Sequence, residues 1–160
     1  MKQDRFLLGI LIFIVVLVVA AVGLFFLRQG DQSYGPDDTP QGVVRNYALA
    51  VQKMDIQKAY SYLADQPGRP TFENFRNAFL TNQLNTTNTS LQVGAVNNVS
   101  DSEAMVEVVI VFSSGDPFSN PWSNNQNASL VKQNGEWKLT FMPNPYWGWD
   151  WFQPTPVKAP

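Results

Sequence analysis

The sequence predicts an α+β domain carried on a single N-terminal transmembrane helix. Three observations support this fold class. Residues 6–27 form an unbroken apolar run, residues 40–80 carry apolar side chains at helical spacing, and residues 91–142 alternate as strands do. Helices followed by an antiparallel meander are typical of α+β domains, in which the helices cover one face of a sheet.

The apolar run from Phe6 to Leu27 is long enough to cross a bilayer. Its 22 residues contain no charged or polar side chain, and as a helix they span about 33 Å against a hydrocarbon core of about 30 Å. A cleaved signal peptide would have a shorter apolar segment, whereas Ala20 and Ala21 are followed by more membrane-type sequence. A buried core helix would need a polar face, which this run lacks. We therefore expect an uncleaved, single-pass anchor.

The charges that flank this run predict its orientation. Lys2, Arg5 and the α-amino group precede it, whereas Arg28 on the far side is followed by acidic residues. Because Lys and Arg favour the cytoplasmic side, residues 1–5 are predicted to be a cytoplasmic stub. The rest of the chain would then lie outside the cytoplasm, on the periplasmic side of the cell membrane of a bacterium.

The first half of the predicted domain is helical. Residues 28–39 are hydrophilic and rich in Gly and Pro, which is typical of a short linker. Thr39 and Asp55 are suitable helix N-caps, a third helix is predicted to start at Thr71, and apolar residues at helical spacing follow each of the three. The sequence therefore predicts about three helices at the start of a domain that spans residues 40–142.

The second half of the domain is predicted to be an antiparallel sheet of four or more strands. Leu91–Ala95 and Ala104–Phe112 are the first two candidates, and the second of them is a β-branched, nearly continuous apolar run. Two further strands, Asn127–Gln133 and Glu136–Met142, flank the pair Asn134-Gly135. Asn-Gly between apolar strands is a strong signal for a two-residue hairpin, because a type I′ turn needs positive φ at both central residues.

The order of these segments resembles the nuclear transport factor 2-like superfamily of cone-shaped α+β domains. The resemblance covers roughly residues 40–142 and is carried by the helix with Val44, Tyr47 and Ala50, by the segment from Asp55 to Tyr60, and by the final strand, which begins Asn134-Gly135-Glu136-Trp137. These residues are packing signatures, so the resemblance implies a fold. The superfamily includes isomerases, dehydratases, polyketide cyclases, transport adaptors and membrane-anchored accessory domains, among which fold alone does not choose.

The composition excludes several kinds of chemistry. The chain has no His and no Cys, so it has no imidazole base, thiol nucleophile or cysteine-ligated zinc. A net charge of −2 without a basic run argues against nucleic-acid binding. No motif for phosphate, calcium or another metal is present, so no cofactor, metal site or catalytic residue is predicted.

Glu107 is the one acidic residue that we place inside an apolar strand. It shares a face with Met105, Val109 and Val111, where a carboxylate could have a raised pKa and serve as a base. Two other interpretations stay open: this face could be the solvent side of the sheet, or Glu107 could pair with Lys138 or an Arg. A lone carboxylate is a weak catalytic constellation, so we expect no enzyme.

Four Asn-x-Ser/Thr triplets begin at Asn85, Asn88, Asn98 and Asn127. In a secretory-pathway protein they would be glycan acceptors, and in a bacterium they are ordinary polar residues of loops and turns. The short stub and the absence of disulfides favour a bacterial protein.

Aromatic residues crowd the C-terminal tail, residues 143–160. Tyr146, Trp147, Trp149, Trp151 and Phe152 fall within seven residues, and in an extended segment the three Trp side chains would share one side. Three hypotheses stay open. The tail could fold back onto the cone, dock onto another subunit, or lie at the lipid headgroups. Trp122, in the loop of residues 113–125, is a further candidate for such contacts.

The functional hypothesis is a non-catalytic, membrane-anchored accessory or assembly subunit. The aromatic tail and Trp122 would contact other integral membrane subunits of a larger complex, for which a respiratory or photosynthetic electron-transport assembly is one hypothesis. The alternative is a binding module that holds a small apolar ligand in the cone.

Overall fold

The computed structural model describes residues 5–28, 33–116 and 119–152, and the chain divides between Ser33 and Tyr34 into two units. The first unit contains helix α1, Arg5–Arg28. Its stretch Leu7–Leu24 is long and apolar enough to cross a membrane, and the side chains of that stretch are exposed. The predicted N-terminal apolar helix is therefore present.

Three helices open the second unit, two of them at their predicted caps and the third one residue after its predicted start at Thr71. They are α2 (Pro40–Gln52), α3 (Ile56–Ser61) and α4 (Phe72–Leu80). The side chains of Thr39, Asp55 and Thr71 accept hydrogen bonds from main-chain N–H groups of the first turns, which otherwise have no partner within a helix. The helical half of the predicted α+β fold is confirmed.

The sheet is a four-stranded antiparallel meander. Its strands are β1 (Thr89–Asn98), β2 (Glu103–Phe112), β3 (Trp122–Gln133) and β4 (Glu136–Phe141), in the spatial order β1-β2-β3-β4. Asn134 and Gly135 have φ values of 52° and 87°, as the predicted hairpin turn requires. The α+β class with an antiparallel sheet of four strands is therefore confirmed.

The core lies between the helices and one face of this sheet. Val106, Val108 and Ile110 of β2 are fully buried on that inner face. They belong to one apolar cluster with Val44 and Tyr47 of α2 and with Phe75 of α4. The side chains of alternate β2 residues, including Glu107, lie on the opposite, outer face.

Strand β3 begins five residues earlier than the predicted start at Asn127. Residues 123–127 read Ser-Asn-Asn-Gln-Asn, and such side chains are poor strand formers. They nevertheless pair in register with β2, where Phe112 lies opposite Trp122 and Val108 opposite Gln126. Pairing with an apolar neighbour thus overrides local propensity, and part of the predicted loop 113–125 is strand.

The packed unit also extends beyond the predicted domain limits of 40 and 142. Before α2, the amide of Asn46 donates to the oxygen of Gly35 and accepts from its N–H. After β4, Tyr146, Trp147 and Trp151 are buried in the core cluster. Segments predicted as linker and tail therefore complete the domain, while residues 153–160 lie outside the described residues.

Candidate interaction surface

The aromatic tail turns back on itself instead of running as a strand. Residues 144–147 and 149–152 form turns and bends, and the N–H of Trp151 donates to the oxygen of Gly148 at 3.3 Å. Gly148 permits this turn, because a Cβ at that position would collide with the indole of Trp151. The three Trp side chains would share one side only in an extended segment, and this segment is turned.

Tyr146 attaches the tail to helix α2. Its main-chain oxygen accepts a hydrogen bond from the hydroxyl of Tyr47 at 2.7 Å, and its own hydroxyl accepts one from Gln52 at 2.9 Å. Burial raises the pKa of both tyrosines, and hydrogen bonds with Thr89 and Gln52 partly offset the increase for Tyr146. Both phenols are neutral at physiological pH.

Two of the three tail tryptophans belong to the core. Trp147 is 6% exposed and Trp151 4% exposed, and their ring centroids lie 5.1 Å apart at an interplanar angle of 71°. The ring centroid of Trp151 also lies 4.9 Å from that of Phe75 in α4, and the ring centroid of Trp147 lies 6.0 Å from that of Tyr47. The domain itself encloses the side chains of Tyr146, Trp147 and Trp151, so these three residues are not available as interface residues. Their positions agree with the first of the three hypotheses, in which the tail folds back onto the domain.

The third tail tryptophan faces solvent. Trp149 is 80% exposed, and Phe141 at the end of β4 is 44% exposed. Phe152 is half-buried, and its ring stacks on that of Trp147 with centroids 5.5 Å apart. The main-chain N–H of Phe152 donates to the oxygen of Gly68. We name these three residues, Phe141, Trp149 and Phe152, the tail surface. Phe141 and Phe152 both contact the ring of Trp147, so a buried indole supports the surface.

Trp122 forms a second exposed aromatic feature. It is 59% exposed and stacks on Phe112 with ring centroids 4.0 Å apart and an interplanar angle of 7°. The two residues face each other at the paired ends of β2 and β3. The predicted accessibility of Trp122 is consistent with this position.

A charged groove lies between α3, the β3–β4 hairpin and the segment before α2. It has a volume of about 460 Å³ and is lined in part by Asp37, Lys58, Tyr62 and Trp137. The Tyr62 hydroxyl donates to Asp37 at 3.1 Å, and a hydrogen bond with Tyr62 raises the pKa of Lys58. Next to this network, burial and then a hydrogen bond to Asp55 raise the pKa of Tyr34 to about 12. These shifts hold Lys58 charged and the phenols of Tyr34 and Tyr62 neutral near pH 7.

Glu107 lies exposed on the outer face of the sheet, in the row with Met105, Val109 and Val111. It borders a shallow, open depression of about 270 Å³ with Asn125 and Asn127. The interpretation of this face as the solvent side of the sheet is therefore correct. Within the described ranges, no group of three or more acidic side chains is arranged to hold a metal ion.

Comparisons with known proteins bear on the fold alone. No protein-family model and no curated protein matches the chain. Among solved structures, it is similar to a nuclear transport factor 2-like protein of unknown function from Shewanella oneidensis, at 13% identity and a TM-score of 0.47, over 65% of this chain and 93% of that one. It is also similar to a ketosteroid isomerase-like protein from Erwinia carotovora atroseptica, at 16% identity and a TM-score of 0.44, over 62% and 86% of the two chains.

A third similar structure is a SEC-C motif-containing protein from Rhodopseudomonas palustris, at 16% identity and a TM-score of 0.46, over 66% and 77% of the two chains. Identities and TM-scores of this size carry no argument about activity. The assignment of function therefore depends on the residues of this chain.

Sequence reasoning missed the tail surface as a unit. It identified Trp149 and Phe152 but gave Phe141 no role, because Phe141 is separated from the aromatic cluster by four residues, among them two prolines. The spacing of Pro143 and Pro145 was the available signal, since prolines interrupt an extended strand and mark a turn.

Proposed function

We propose that this chain is a membrane-anchored, nuclear transport factor 2-like domain that acts as a non-catalytic accessory or assembly subunit. Helix α1 would hold the domain on the extracytoplasmic side of the cell membrane. The exposed aromatic residues of the domain would then contact an integral membrane partner. The observation that carries this proposal is the combination of an exposed apolar helix with a domain whose own tail packs into its core.

The exposed stretch of α1 supports the membrane anchor. Leu7–Leu24 offers apolar side chains on every face, and an exposed apolar surface of that size needs an apolar environment. A helix satisfies its own main-chain hydrogen bonds, so hydrocarbon is a suitable environment.

The packing of the tail into the core favours a contact at the surface of the domain over a ligand held at the place of the tail. Tyr146, Trp147 and Trp151 pack among Tyr47 and Phe75 in the core. A small apolar ligand would have to displace these side chains and break the buried hydrogen bond between Tyr47 and Tyr146. The alternative of an apolar ligand in the cone therefore requires a large rearrangement of the tail.

The tail surface is the best candidate contact. Exposed aromatic rings beside half-buried ones are typical of interface anchors, because they provide a large apolar area at a small cost in conformational entropy. Trp149 supplies such a ring, Phe141 is exposed and Phe152 is half-buried, and the last two both contact the buried ring of Trp147. Trp122 is a second candidate contact.

The test is purification of the full chain in mild detergent, followed by mass spectrometry of the proteins that accompany it. We expect integral membrane proteins to co-purify with the wild type and to be lost, by tenfold or more, from the variant Trp149→Ala/Phe141→Ala. Identification of these proteins also tests the hypothesis of an electron-transport complex.

The matched control is Glu73→Ala/Arg76→Ala, two exposed positions on α4 that lie outside the tail surface. The control should keep the partner, and both double variants should keep the wild-type far-UV circular dichroism and a cooperative thermal transition. Recovery of the wild type as a single protein with a bound lipid-like molecule would contradict the subunit hypothesis and favour the ligand-binding alternative.

A further inference from the structure

Strand β1 presents an unpaired edge of main-chain groups. The N–H of Ser113 donates to the oxygen of Asn88 at 2.9 Å. Because hydrogen-bonded and non-hydrogen-bonded pairs alternate along an antiparallel pair of strands, this bond sets the phase of the ladder, that is, which residues of β1 are hydrogen-bonded to β2. In that phase, Ser90 and Gln92 direct their N–H and C=O groups toward β2, while Leu91 and Val93 direct theirs away. In the part of the chain that the structure describes, no other strand pairs with this edge.

The opposite edge of the sheet is protected. The N–H of Leu139 in β4 donates to the oxygen of Tyr62, and the oxygen of Leu139 accepts from Ala64, both at 2.8 Å. The same strand carries the charged residues Glu136 and Lys138, which are typical devices against edge-to-edge pairing. Strand β1 has no charged residue and no proline in its ten positions.

The unprotected edge also leaves apolar surface partly uncovered. Leu91, Val93 and Val96 point to the core side of β1, yet they are only half-buried because the sheet ends there. A strand added alongside would pair with the free main-chain groups and cover these side chains at once.

We propose that a second copy of this chain adds to that edge, so that two β1 strands pair antiparallel in an isologous dimer. An uncharged edge suits self-pairing, because like charges would otherwise meet across the two-fold axis. The bulge between Val93 and Val96 limits the regular edge to a few residues, too little for tight capture of a free peptide. Two copies held in one membrane meet at a high effective concentration, and in this respect the dimer rests on the anchor of the proposed function.

The ladder phase predicts the position of the two-fold axis. Leu91 of one copy would pair with Val93 of the other, so that the Gln92 residues of the two copies lie opposite each other at a non-hydrogen-bonded position. Cα atoms at such positions are about 4.5 Å apart, which lies within the Cα separations of about 4.4–6.8 Å that disulfides span, so two introduced cysteines can be bridged.

The chain has no native cysteine, so single-cysteine variants report this contact directly. The full-length variant Gln92→Cys is oxidised in its native membranes with copper phenanthroline, and the products are separated on a non-reducing gel. We expect a disulfide-linked dimer as the main product, which persists when expression is lowered tenfold. The matched control is Asn125→Cys, which is exposed on the outer face of β3 and should stay monomeric.

Each other outcome overturns the proposal. A monomeric Gln92→Cys chain means that the edge is free or filled by a different protein, and a dimer through Asn125→Cys alone means that two sheets stack by their faces. Alkaline extraction of the same membranes tests the anchor separately. A chain that is extracted contradicts the anchor, whereas a chain that resists extraction and stays monomeric contradicts the edge pairing alone.

Discussion

At the scale of the residue, the hydroxyl of Tyr47 makes one of the most consequential contacts of the domain. It donates a buried hydrogen bond to the main-chain oxygen of Tyr146, 99 positions later in the sequence. Tyr47→Phe removes the donor and leaves that carbonyl oxygen in an apolar environment. We expect a loss of about 1–3 kcal/mol in the free energy of unfolding, measured by denaturant titration of tryptophan fluorescence.

The control for this change is Tyr34→Phe. The hydroxyl of Tyr34 donates to Asp55 at 2.9 Å but is only half-buried, so water can replace the bond. A loss at Tyr34 that equals the loss at Tyr47 would contradict the special role of the contact with the tail.

The tyrosine pKa values also predict how stability depends on pH. Tyr34 has a pKa of about 12 against an ordinary 10, and burial raises the pKa of Tyr47, Tyr62 and Tyr146 as well. Between these values the unfolded chain loses protons that the folded domain keeps, so stability present below pH 10 is lost as the pH rises through 12. We expect a flat profile from pH 6 to 9, since the chain has no His or Cys, and a fall above pH 10.

Circular dichroism during thermal melts across this range measures the effect. A maximum of stability between pH 6 and 8 with a decline before pH 9 would contradict the assignment, because the four tyrosines have pKa values raised above 10 and the chain has no His or Cys.

At the scale of the element, the tail divides into a structural part and an exposed part. Trp151 is buried against Phe75 and Trp147, and Trp151→Ala removes a large ring from that contact. We expect a loss of about 3–5 kcal/mol in the free energy of unfolding for this variant. Trp149→Ala changes an exposed side chain, so its effect should stay within about 0.5 kcal/mol.

Thermal and denaturant unfolding of both variants tests this difference. Equal losses would mean that Trp149 also contributes to the core, and the tail surface would then lose its main contact residue.

The sequence predicts the helices better than it predicts β3 and the tail. Thr39, Asp55 and Thr71 cap their helices with local hydrogen bonds, and Asn134-Gly135 sets a local turn, so each signal is complete within a few residues. The polar half of β3 depends instead on pairing with β2, which local propensity does not encode.

The exposed members of the candidate site were only partly predictable for the same reason. Alternate spacing of Trp147, Trp149 and Trp151 identifies an aromatic segment, but their burial depends on where the chain turns. That turn requires Gly148 and contact with α4, a helix about 70 residues earlier in the sequence. Sequence therefore identified the residues, and the tertiary contacts decided which of them face solvent.

At the scale of the whole molecule, the anchor hypothesis makes a quantitative prediction. Val15→Arg/Val18→Arg places two charges near the middle of α1, and each costs about 2.5–3.5 kcal/mol of insertion free energy at a helix centre. We expect the chain to shift from the membrane fraction to the alkaline supernatant, while the tryptophan fluorescence of the domain stays native.

Leu7→Arg is the control, because a long basic side chain near a helix end can reach the interface at a lower cost. That variant should stay in the membrane. A double variant that resists alkaline extraction as well as the wild type does would contradict a membrane-spanning role for α1.

The contact between Tyr47 and Tyr146 has a consequence for biosynthesis. A chain that leaves the ribosome from its N-terminal side exposes α2 long before Tyr146 and Trp151 arrive to cover it. The domain therefore closes last at its tail, and until then the apolar face of α2 is open to aggregation or to chaperones. A stalled chain that ends before Tyr146 should be a target for degradation even though every helix and strand has already been made.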